Sequence, residues 1–279
     1  MCGRFNSSAS GKDFAETYGA EFGGIELQPN HNVAPTSKIY VLTQDDSHKV
    51  VSTMTWGLVP SWSKDKTRSA SMINARSETL AEKPSFRNLL TKHRCVIPIQ
   101  GFYEWQVLPS ETKKPKKQAH YISRSDGQVM TLAGLWTTWK DTDNSLLQTC
   151  TIITIEATNK LSEIHHRMPV ILESETIDEW LTVNAPMPVN LLRVASDEIV
   201  FSEPTSRLDR ASRSSSASTA LTGNAASSNG VRSRLASSSN SAVVGTSFDD
   251  GRGHISAYAG YRKVDAVLQR DRDYSACSL

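Results

Sequence analysis

Short apolar runs separated by turn residues recur through the first two thirds of the chain. Runs of this length, rich in β-branched and aromatic residues, are typical of strands. The predicted strands are residues 39–42, 50–56, 94–105 with an interruption at Gly101, 120–124, 129–136 and 148–155. Helical spacing is confined to residues 12–18, 85–93, 157–164 and 174–181, the last opening on a displaced capping-box pattern. We therefore expect a strand-rich domain with short helices.

The composition changes near residue 205. Residues up to about 200 mix apolar and charged side chains, whereas residues 211–240 contain 11 serines and no aromatic residue. A segment of that composition cannot bury enough apolar surface to offset the entropy lost on folding. We therefore expect a folded domain over residues 1–205 and a serine-rich, disordered tail over residues 206–279.

The net charge is only +2, which argues against a surface with general affinity for nucleic acid. Between Trp62 and Arg94, however, eight basic residues stand against three acidic ones. This basic segment is either a patch that faces phosphates or an ordinary solvated surface. Trp62, next to Ser63 and Lys64, is a candidate for stacking on unpaired bases, although most tryptophans pack in cores. The cations of the segment are Lys64, Lys66, Arg68, Arg76, Lys83, Arg87, Lys92 and Arg94.

Four scattered cysteines, Cys2, Cys95, Cys150 and Cys277, form no metal-ligand spacing with one another or with histidine. The sequence therefore predicts no metal site, and we expect no cofactor. It contains no apolar run long enough to span a membrane, and its polar start is unlike a signal peptide. We expect reduced thiols in an intracellular compartment, either the cytoplasm or nucleoid of a prokaryote or the nucleus of a eukaryote.

The chain begins Met1-Cys2-Gly3-Arg4. Because Cys2 is small, we expect Met1 to be removed, which would leave a free α-amine beside the Cys2 thiol. An α-amine has a reference pKa of roughly 7.7 to 8.0, so far more of it is unprotonated at neutral pH than of a lysine amine. An amine and a thiol on adjacent carbons trap an aldehyde as a Schiff base and then as a five-membered thiazolidine. The alternative is a Met-Cys start without chemical meaning.

Three polar residues elsewhere suit proton transfer or positioning. Asn74 lies where an apolar run gives way to a turn, either in a site or as a helix cap. Glu104 lies among aromatic residues, where a carboxyl that faces inward would stay protonated near neutral pH, whereas one that faces outward would be unremarkable. His165 ends a predicted helix before a strand, a place that suits a proton-transfer group, although surface histidines are common.

Six motifs occur in order between residues 1 and 169. They are Met1-Cys2-Gly3-Arg4-Phe5, Asn32-Val33-Ala34-Pro35, Trp56-Gly57-Leu58-Val59-Pro60, Ile73-Asn74-Ala75-Arg76-Ser77-Glu78, Gly101-Phe102-Tyr103-Glu104-Trp105 and Ile164-His165-His166-Arg167-Met168-Pro169. Taken together they closely resemble the SOS-response-associated peptidase (SRAP) family, whose members process abasic sites in DNA. The resemblance implies an α+β fold around a mainly antiparallel, barrel-like sheet with short flanking helices.

The resemblance also implies roles for particular residues. Cys2 matches the crosslinking nucleophile, Asn74 the residue that positions the N-terminus, and Glu104 the proton shuttle. His165, rather than His166, matches the histidine that assists sugar ring opening and reversal. The residues implied to contact DNA are Arg4, Arg76 and Arg167 at phosphates, and Trp62 with Pro35 as a wedge beside the lesion.

The implied partner is single-stranded DNA that contains an abasic site, whose open-chain aldehyde Cys2 would capture as a thiazolidine crosslink. Without the thiol, the Schiff base would favour lyase-type strand cleavage. We expect the protein to act as a monomer. After Phe201 the sequence departs from the family pattern and passes into the serine-rich tail, which leaves the last strand of the sheet in question.

Two other functions stay open at this point. One is a cysteine peptidase in which Cys2 and His165 are nucleophile and base, with removal of Met1 as the one proteolysis expected. The other is a non-catalytic binder of single-stranded DNA that uses the basic segment and Trp62.

Overall fold

The structure, a computed structural model, describes residues 2–45, 48–67, 69–110, 115–157, 159–194, 200–204, 239–248 and 253–262. The helices are α1 (Gly11–Tyr18), α2 (Asn159–Ser162) and α3 (Ile177–Leu181), with 3₁₀ turns at Ser69–Ser71, Ser77–Thr79, Arg87–Leu89, Ser174–Thr176 and Val189–Leu191. The strands are β1 (Arg4–Ser7), β2 (Glu21–Phe22), β3 (Asn30–Val33), β4 (Lys38–Gln44), β5 (Lys49–Trp56), β6 (Asn74–Arg76), β7 (Arg94–Ile99), β8 (Gly101–Leu108), β9 (Lys116–Arg124), β10 (Met130–Lys140), β11 (Leu146–Glu156), β12 (Arg167–Pro169), β13 (Val200–Pro204), β14 (Ser239–Phe248) and β15 (Gly253–Arg262).

Five strands close into a barrel. The order β11, β10, β7, β4, β5 is hydrogen-bonded throughout, and β5 returns to pair with β11. The neighbours are antiparallel except at this closure, where Thr149 lies opposite Thr55 and Cys150 opposite Trp56 in parallel register. Together with the few short helices, this confirms the predicted α+β class with a mainly antiparallel, barrel-like sheet.

A second sheet has the antiparallel order β13, β9, β8, β1, β3. Phe5 of β1 lies opposite Phe102 of β8, and both pack in one buried cluster with the barrel residues Trp56, Ile97 and Ile152. The N-terminal segment is thus held against the barrel by core packing.

Gly101 separates the two sheets, as the interrupted strand predicted. β7 belongs to the barrel sheet and β8 to the second sheet. A Cβ at Gly101 would lie 2.6 Å from the carbonyl oxygen of Ile122 and 2.6 Å from the Tyr121 ring. The chain can cross between the sheets here because glycine has no side chain to collide with β9.

Helix α1 forms where the spacing predicted. The Ser10 hydroxyl accepts a hydrogen bond from the amide of Asp13, whose carboxylate accepts one from the amide of Ser10, which completes a capping box. Phe14 and Tyr18 are buried. Two other helical predictions were wrong in extent. Residues 85–93 form only the Arg87–Leu89 turn, and the described residues among 157–164 form only α2. Residues 174–181 are helical as predicted, as a 3₁₀ turn followed by α3, but without a side-chain cap.

The chain divides into two units at Ser218 and Thr219, and each is described by itself. In the first, β13 pairs with β9 over five residues, so the sheet continues to Pro204 despite the departure from the family pattern. In the second, β14 and β15 form an antiparallel pair. The rest of the predicted tail, 206–279, lies outside the described residues, so its disorder and the boundary at 205 stay predictions. Among the described helices, none is long and apolar enough to cross a membrane.

Candidate functional site

The register of β1 carries Cys2 towards Glu104. Arg4 lies opposite Tyr103 in antiparallel pairing, so the residues before Arg4 run alongside Glu104 and Trp105. Cys2 is fully buried and packs with Phe5, Trp56 and other core residues. The two predicted site residues are therefore neighbours because of strand pairing.

Asn74 reaches Cys2 directly. It opens β6, which pairs in parallel with β11 and places Asn74 opposite Ile152. Its Nδ2 donates to the carbonyl oxygen of Cys2 at 3.1 Å. Its Oδ1 is buried and has no hydrogen-bond partner among the described residues. Asn74 does not cap the following 3₁₀ turn, which has no side-chain cap, so the alternative role as a helix cap is wrong.

Glu104 is buried in β8, with 3% of its surface exposed. Burial raises the pKa of its carboxyl, while the positive charge of the chain's amino terminus acts in the opposite direction. The prediction of an inward-facing carboxyl is therefore confirmed over that of a surface residue. The upward shift of the pKa makes Glu104 a better proton donor than an exposed glutamate.

Glu104 and His165 line the same small pocket. Arg167 and five apolar side chains form the other walls of the pocket. The apolar residues are Phe102 of β8, Ile122 of β9, Leu161 and Ile164 of the segment around α2, and Met168 of β12. Apolar walls of this kind exclude bulk water, which strengthens every polar interaction within the pocket.

His165 is half-buried, and burial lowers its pKa to about 4, with the chain's amino terminus and His166 acting in the same direction. The imidazole is therefore neutral at pH 7. Nδ1 lies 3.0 Å from the backbone N–H of Arg167, from which it can accept, and 3.2 Å from the carbonyl oxygen of the same residue, to which it could donate. The shorter contact favours the tautomer with the proton on Nε2. His166 is exposed and stacks on His165, with ring centroids 4.4 Å apart.

The Cys2 thiol is neutral in this environment. Burial raises its pKa above the ordinary value, and the Glu104 charge raises it further. A buried thiol needs a base to become a nucleophile, and the carboxylate form of Glu104, whose charge acts on the thiol, can serve as one. The cluster therefore combines a thiol, a proton-exchanging carboxyl and a neutral imidazole.

The three predicted phosphate-binding arginines differ in their surroundings. Arg4 is half-buried and donates from Nη1 to Oδ1 of Asn32 at 3.3 Å. Arg76 is exposed at the end of β6. Arg167 is buried, and its two Nη atoms bind the carboxylate of Glu78 at 2.7 and 3.0 Å. Arg76 is thus open to a phosphate as it stands, and the phosphate roles of all three stay predictions.

Trp62 and Pro35 lie on loops next to barrel strands. Trp62 is 67% exposed, which is rare for a tryptophan and means that it does not pack in the core. Its loop is joined to β10 by a hydrogen bond that the indole of Trp139 donates to the carbonyl of Ser63 at 2.8 Å. Pro35 is half-buried and precedes Thr36, whose φ of +67° is unusual for a β-branched residue.

The basic segment divides between surface and interior. Lys64, Arg76, Lys83, Arg87 and Lys92 are exposed, and exposed Lys66 pairs with Asp141 at 3.3 Å. Arg94 is buried and donates to the backbone carbonyls of Leu90, Trp180, Thr182 and Ala185. Arg94 is therefore a structural residue that holds the end of α3, and not part of a phosphate-facing patch. Arg68 lies outside the described residues.

Sequence reasoning missed two residues beside the site. Glu78 pairs with Arg167, and Thr154 accepts from Nη2 of Arg167 through its carbonyl oxygen at 2.7 Å. Glu78 stood inside a quoted motif, but its partner is 89 residues away, so spacing gave no sign of the pair. Within the described part of the chain, no group of three or more His, Cys, Asp or Glu residues is placed to hold a metal ion.

Similarity to known proteins extends over the first unit. The family model described as SOS response associated peptidase (SRAP) matches residues 1–206. Abasic site processing protein YoqW of Bacillus subtilis is 40% identical over 183 residues, which cover 65% of this chain and 80% of that protein. Abasic site processing protein HMCES of Gallus gallus is 35% identical over 181 residues, 55% of this chain and 54% of its own length. A crystal structure of a protein from Bacteroides thetaiotaomicron has a TM-score of 0.66 at 27% identity and covers 73% of this chain and 91% of its own.

Proposed function

The chain belongs to the SRAP family, and on that premise we propose that it captures the aldehyde of an abasic site in single-stranded DNA as a thiazolidine on Cys2. The observation that carries the proposal is the hydrogen bond from Asn74 to the carbonyl of Cys2, beside a pocket that Glu104 and His165 share. The relatives' names, which describe abasic site processing, support the substrate. The proposal requires removal of Met1, because the Cys2 nitrogen is otherwise an amide.

The first step is attack of the Cys2 amine on the open-chain aldehyde. The resulting carbinolamine must lose its hydroxyl, and the protonated Glu104 carboxyl donates the proton that lets it leave as water. This step leaves an iminium ion and a Glu104 carboxylate. Burial raises the pKa of the carboxyl, which favours the protonated form that this step needs.

The second step closes the ring. The Glu104 carboxylate takes the proton of the Cys2 thiol, and the sulfur attacks the iminium carbon to form a carbon–sulfur bond. The nitrogen keeps its proton and becomes the neutral ring amine, and Glu104 ends the cycle protonated. One carboxyl therefore serves both steps, which suits a site with a thiol that burial keeps neutral.

His165 acts before these steps. An abasic sugar exists mainly as a closed ring, and opening it moves the proton of the anomeric hydroxyl to the ring oxygen. The neutral imidazole keeps its own proton: Nε2–H donates a hydrogen bond that stabilises the charge developing on the ring oxygen as the carbon–oxygen bond breaks, while a water molecule carries the hydroxyl proton across. Asn74 keeps the reacting residue in place, so the amine need not be ordered at the moment of attack.

Surface features support a nucleic-acid strand as the partner. Exposed Trp62, on a loop joined to β10, offers a stacking surface, and exposed Arg76 offers a guanidinium for a phosphate. Arg76 ends the same short strand that Asn74 begins, so a phosphate bound there lies within a few residues of the reactive centre.

The test uses the protein with loss of Met1 verified by intact mass, and a single-stranded oligonucleotide with one abasic site. We expect a heat-stable adduct whose mass equals protein plus oligonucleotide minus one water. An oligonucleotide with an intact base in place of the lesion should give none. Failure of Met1-free protein to form the adduct would overturn the proposal.

The peptidase alternative is less well supported by the geometry. A cysteine peptidase needs a thiolate paired with an imidazolium, which calls for a lowered thiol pKa and a charged histidine. Here the pKa of the Cys2 thiol is raised and that of His165 is lowered. Cleavage of unrelated peptides would revive that function, and salt-sensitive binding without an adduct would support a simple DNA binder.

A further inference from the structure

Arg167 joins three elements around the pocket. It begins β12 and is buried, with 8% of its surface exposed. Nη1 and Nη2 bind Oε1 and Oε2 of Glu78 at 2.7 and 3.0 Å, in the 3₁₀ turn after β6. Nη2 also donates to the carbonyl oxygen of Thr154 in β11 at 2.7 Å. One guanidinium therefore ties together β6, β11 and β12.

We propose that Glu78 is a positioning residue for this site, which acts through its paired bond to Arg167 to fix the His165 ring and the strand that carries Asn74. The inference rests on the proposed function. Glu78 is not among the residues that line the pocket, and its carboxylate oxygens accept from Arg167. It acts through another residue, so the chemistry assigned to Cys2, Glu104 and His165 is unchanged.

The link to His165 runs through the backbone of Arg167. Nδ1 of His165 lies 3.0 Å from its N–H and 3.2 Å from its carbonyl oxygen, so the position of the Arg167 backbone decides which tautomer the ring adopts beside the pocket. The position of that N–H depends on where the Arg167 side chain is anchored, because the residue opens a strand of only three residues. Glu78 and Thr154 supply this anchor.

The link to Asn74 runs along the chain. Only three residues separate Glu78 from Asn74, and β6 is held to β11 by the register Asn74–Ile152, Ala75–Ile153 and Arg76–Thr154. Thr154 lies at the end of this register and also faces Pro169 of β12. A shift of Glu78 would therefore move the end of β6, and with it the amide that holds Cys2.

The burial of Arg167 distinguishes this ion pair from an ordinary surface pair, although Glu78 itself is about half exposed. The Arg167 side chain is 9% exposed and that of Glu78 is 48% exposed. A buried guanidinium needs its partner, because removal of the carboxylate leaves a desolvated charge. Without the Glu78 carboxylate, the Arg167 side chain would move towards water, and its backbone N–H would move with it. Hydrogen bonds from Arg167 lower the pKa of the Glu78 carboxyl, which favours its carboxylate form.

Three variants test the inference. Glu78→Gln keeps the shape and removes the charge, and Glu78→Asp keeps the charge on a shorter side chain. The matched control is Asp126→Asn, which breaks the paired bond from Arg124 to Asp126, at 3.0 and 2.6 Å, in the turn after β9. Three quantities are measured: the single-turnover rate of adduct formation, the dissociation constant for an undamaged oligonucleotide, and the His165 tautomer from imidazole ¹⁵N–¹H correlations, assigned with His165→Gln.

We expect Glu78→Gln to slow adduct formation on the order of tenfold or more, since misplacement of a reacting group by a fraction of an ångström has large effects on rate. The dissociation constant should not change. His165 should be a single Nε2–H tautomer in the unaltered protein and a mixture in the variant. Glu78→Asp should recover part of the rate, and Asp126→Asn should match the unaltered protein in all three measurements.

Other outcomes overturn the inference. Tighter DNA binding with an unchanged rate would mean that Glu78 merely competes with a phosphate for Arg167. A rate loss that only follows the unfolded fraction, with the tautomer unchanged, would mean a purely structural ion pair. If Glu78→Gln does not fold, Glu78→Asp decides by the same criteria. If the unaltered protein forms no adduct, the proposed function fails, and the tautomer measurement still decides whether Glu78 positions His165.

Discussion

Asn74 contacts the residue that carries the proposed chemistry through a single hydrogen bond, from its Nδ2 to the Cys2 carbonyl. Replacement by alanine removes that bond, and a bond of this kind contributes about 1 kcal/mol. We expect Asn74→Ala to form the adduct about fivefold more slowly, as measured by single-turnover gel assays. Asn190→Ala, which removes an exposed amide, is the control. An unchanged rate would mean that the bond does not position Cys2.

Cys2 supplies two reactive groups in the proposed reaction. Its amine forms the Schiff base, and its thiol then captures the Schiff base as a thiazolidine. Cys2→Ala keeps the amine once Met1 is removed, so the Schiff base forms and then eliminates the 3′ phosphate. We expect the heat-stable adduct to disappear and strand cleavage to increase, with borohydride trapping the intermediate. The proposed division of labour fails if the variant still yields an adduct that survives heating without borohydride.

His165 makes the stability of the protein depend on pH. Its pKa in the folded protein, about 4, lies below the unfolded value of about 6.5, so the unfolded chain binds more protons between these values. Stability is therefore lost as the pH falls from about 6.5 through 4. We expect His165→Gln to reduce the difference between the melting temperatures at pH 7 and pH 5. An equal difference in both proteins would show that the pKa of His165 is not lowered on folding.

At the scale of the elements, the loop that presents Trp62 depends on Gly57. Its φ is +128°, and a Cβ there would lie 2.5 Å from the carbonyl oxygen of Ser69. We expect Gly57→Ala to destabilise the protein by about 2–3 kcal/mol in urea unfolding, because strain and collision add. Gly127→Ala is the control, since Gly127 also has a positive φ, +73°, but nothing lies within 4 Å. Equal losses of unfolding free energy in the two variants would mean that the collision with Ser69 does not contribute.

Local elements were predictable where a local signal decides them. The helical spacing of residues 12–18 predicted α1, and the apolar runs 39–42 and 50–56 predicted β4 and β5. Residues 85–93 have helical spacing, yet only Arg87–Leu89 forms a turn. Tertiary packing of Phe86 and Leu89, both buried, determines that segment instead of its intrinsic preference.

At the scale of the molecule, the site is assembled by pairings that no local pattern reveals. The barrel closes through a parallel contact between residues almost 100 positions apart, Thr55 and Thr149. The site depends on similar contacts, such as Asn74 with Cys2 and Glu78 with Arg167. The resemblance to the SRAP family did identify Cys2, Asn74, Glu104 and His165 together, because a family pattern carries all of its site residues over at once. It did not give Glu78 or the buried role of Arg94, which depend on three-dimensional contacts.

The division of the chain into two units predicts the effect of truncation. The family match ends at residue 206, and β13 ends at Pro204, so a chain of residues 1–206 keeps every described element of the first unit. We expect it to melt at the temperature of the full chain and to form the adduct at the same rate. A chain of residues 1–199 also loses β13, which pairs with β9 over five residues. We expect it to melt roughly 5–10 °C lower, because several edge hydrogen bonds, each about 1 kcal/mol, are lost. A lower melting temperature for residues 1–206 than for the full chain would show that the second unit stabilises the first.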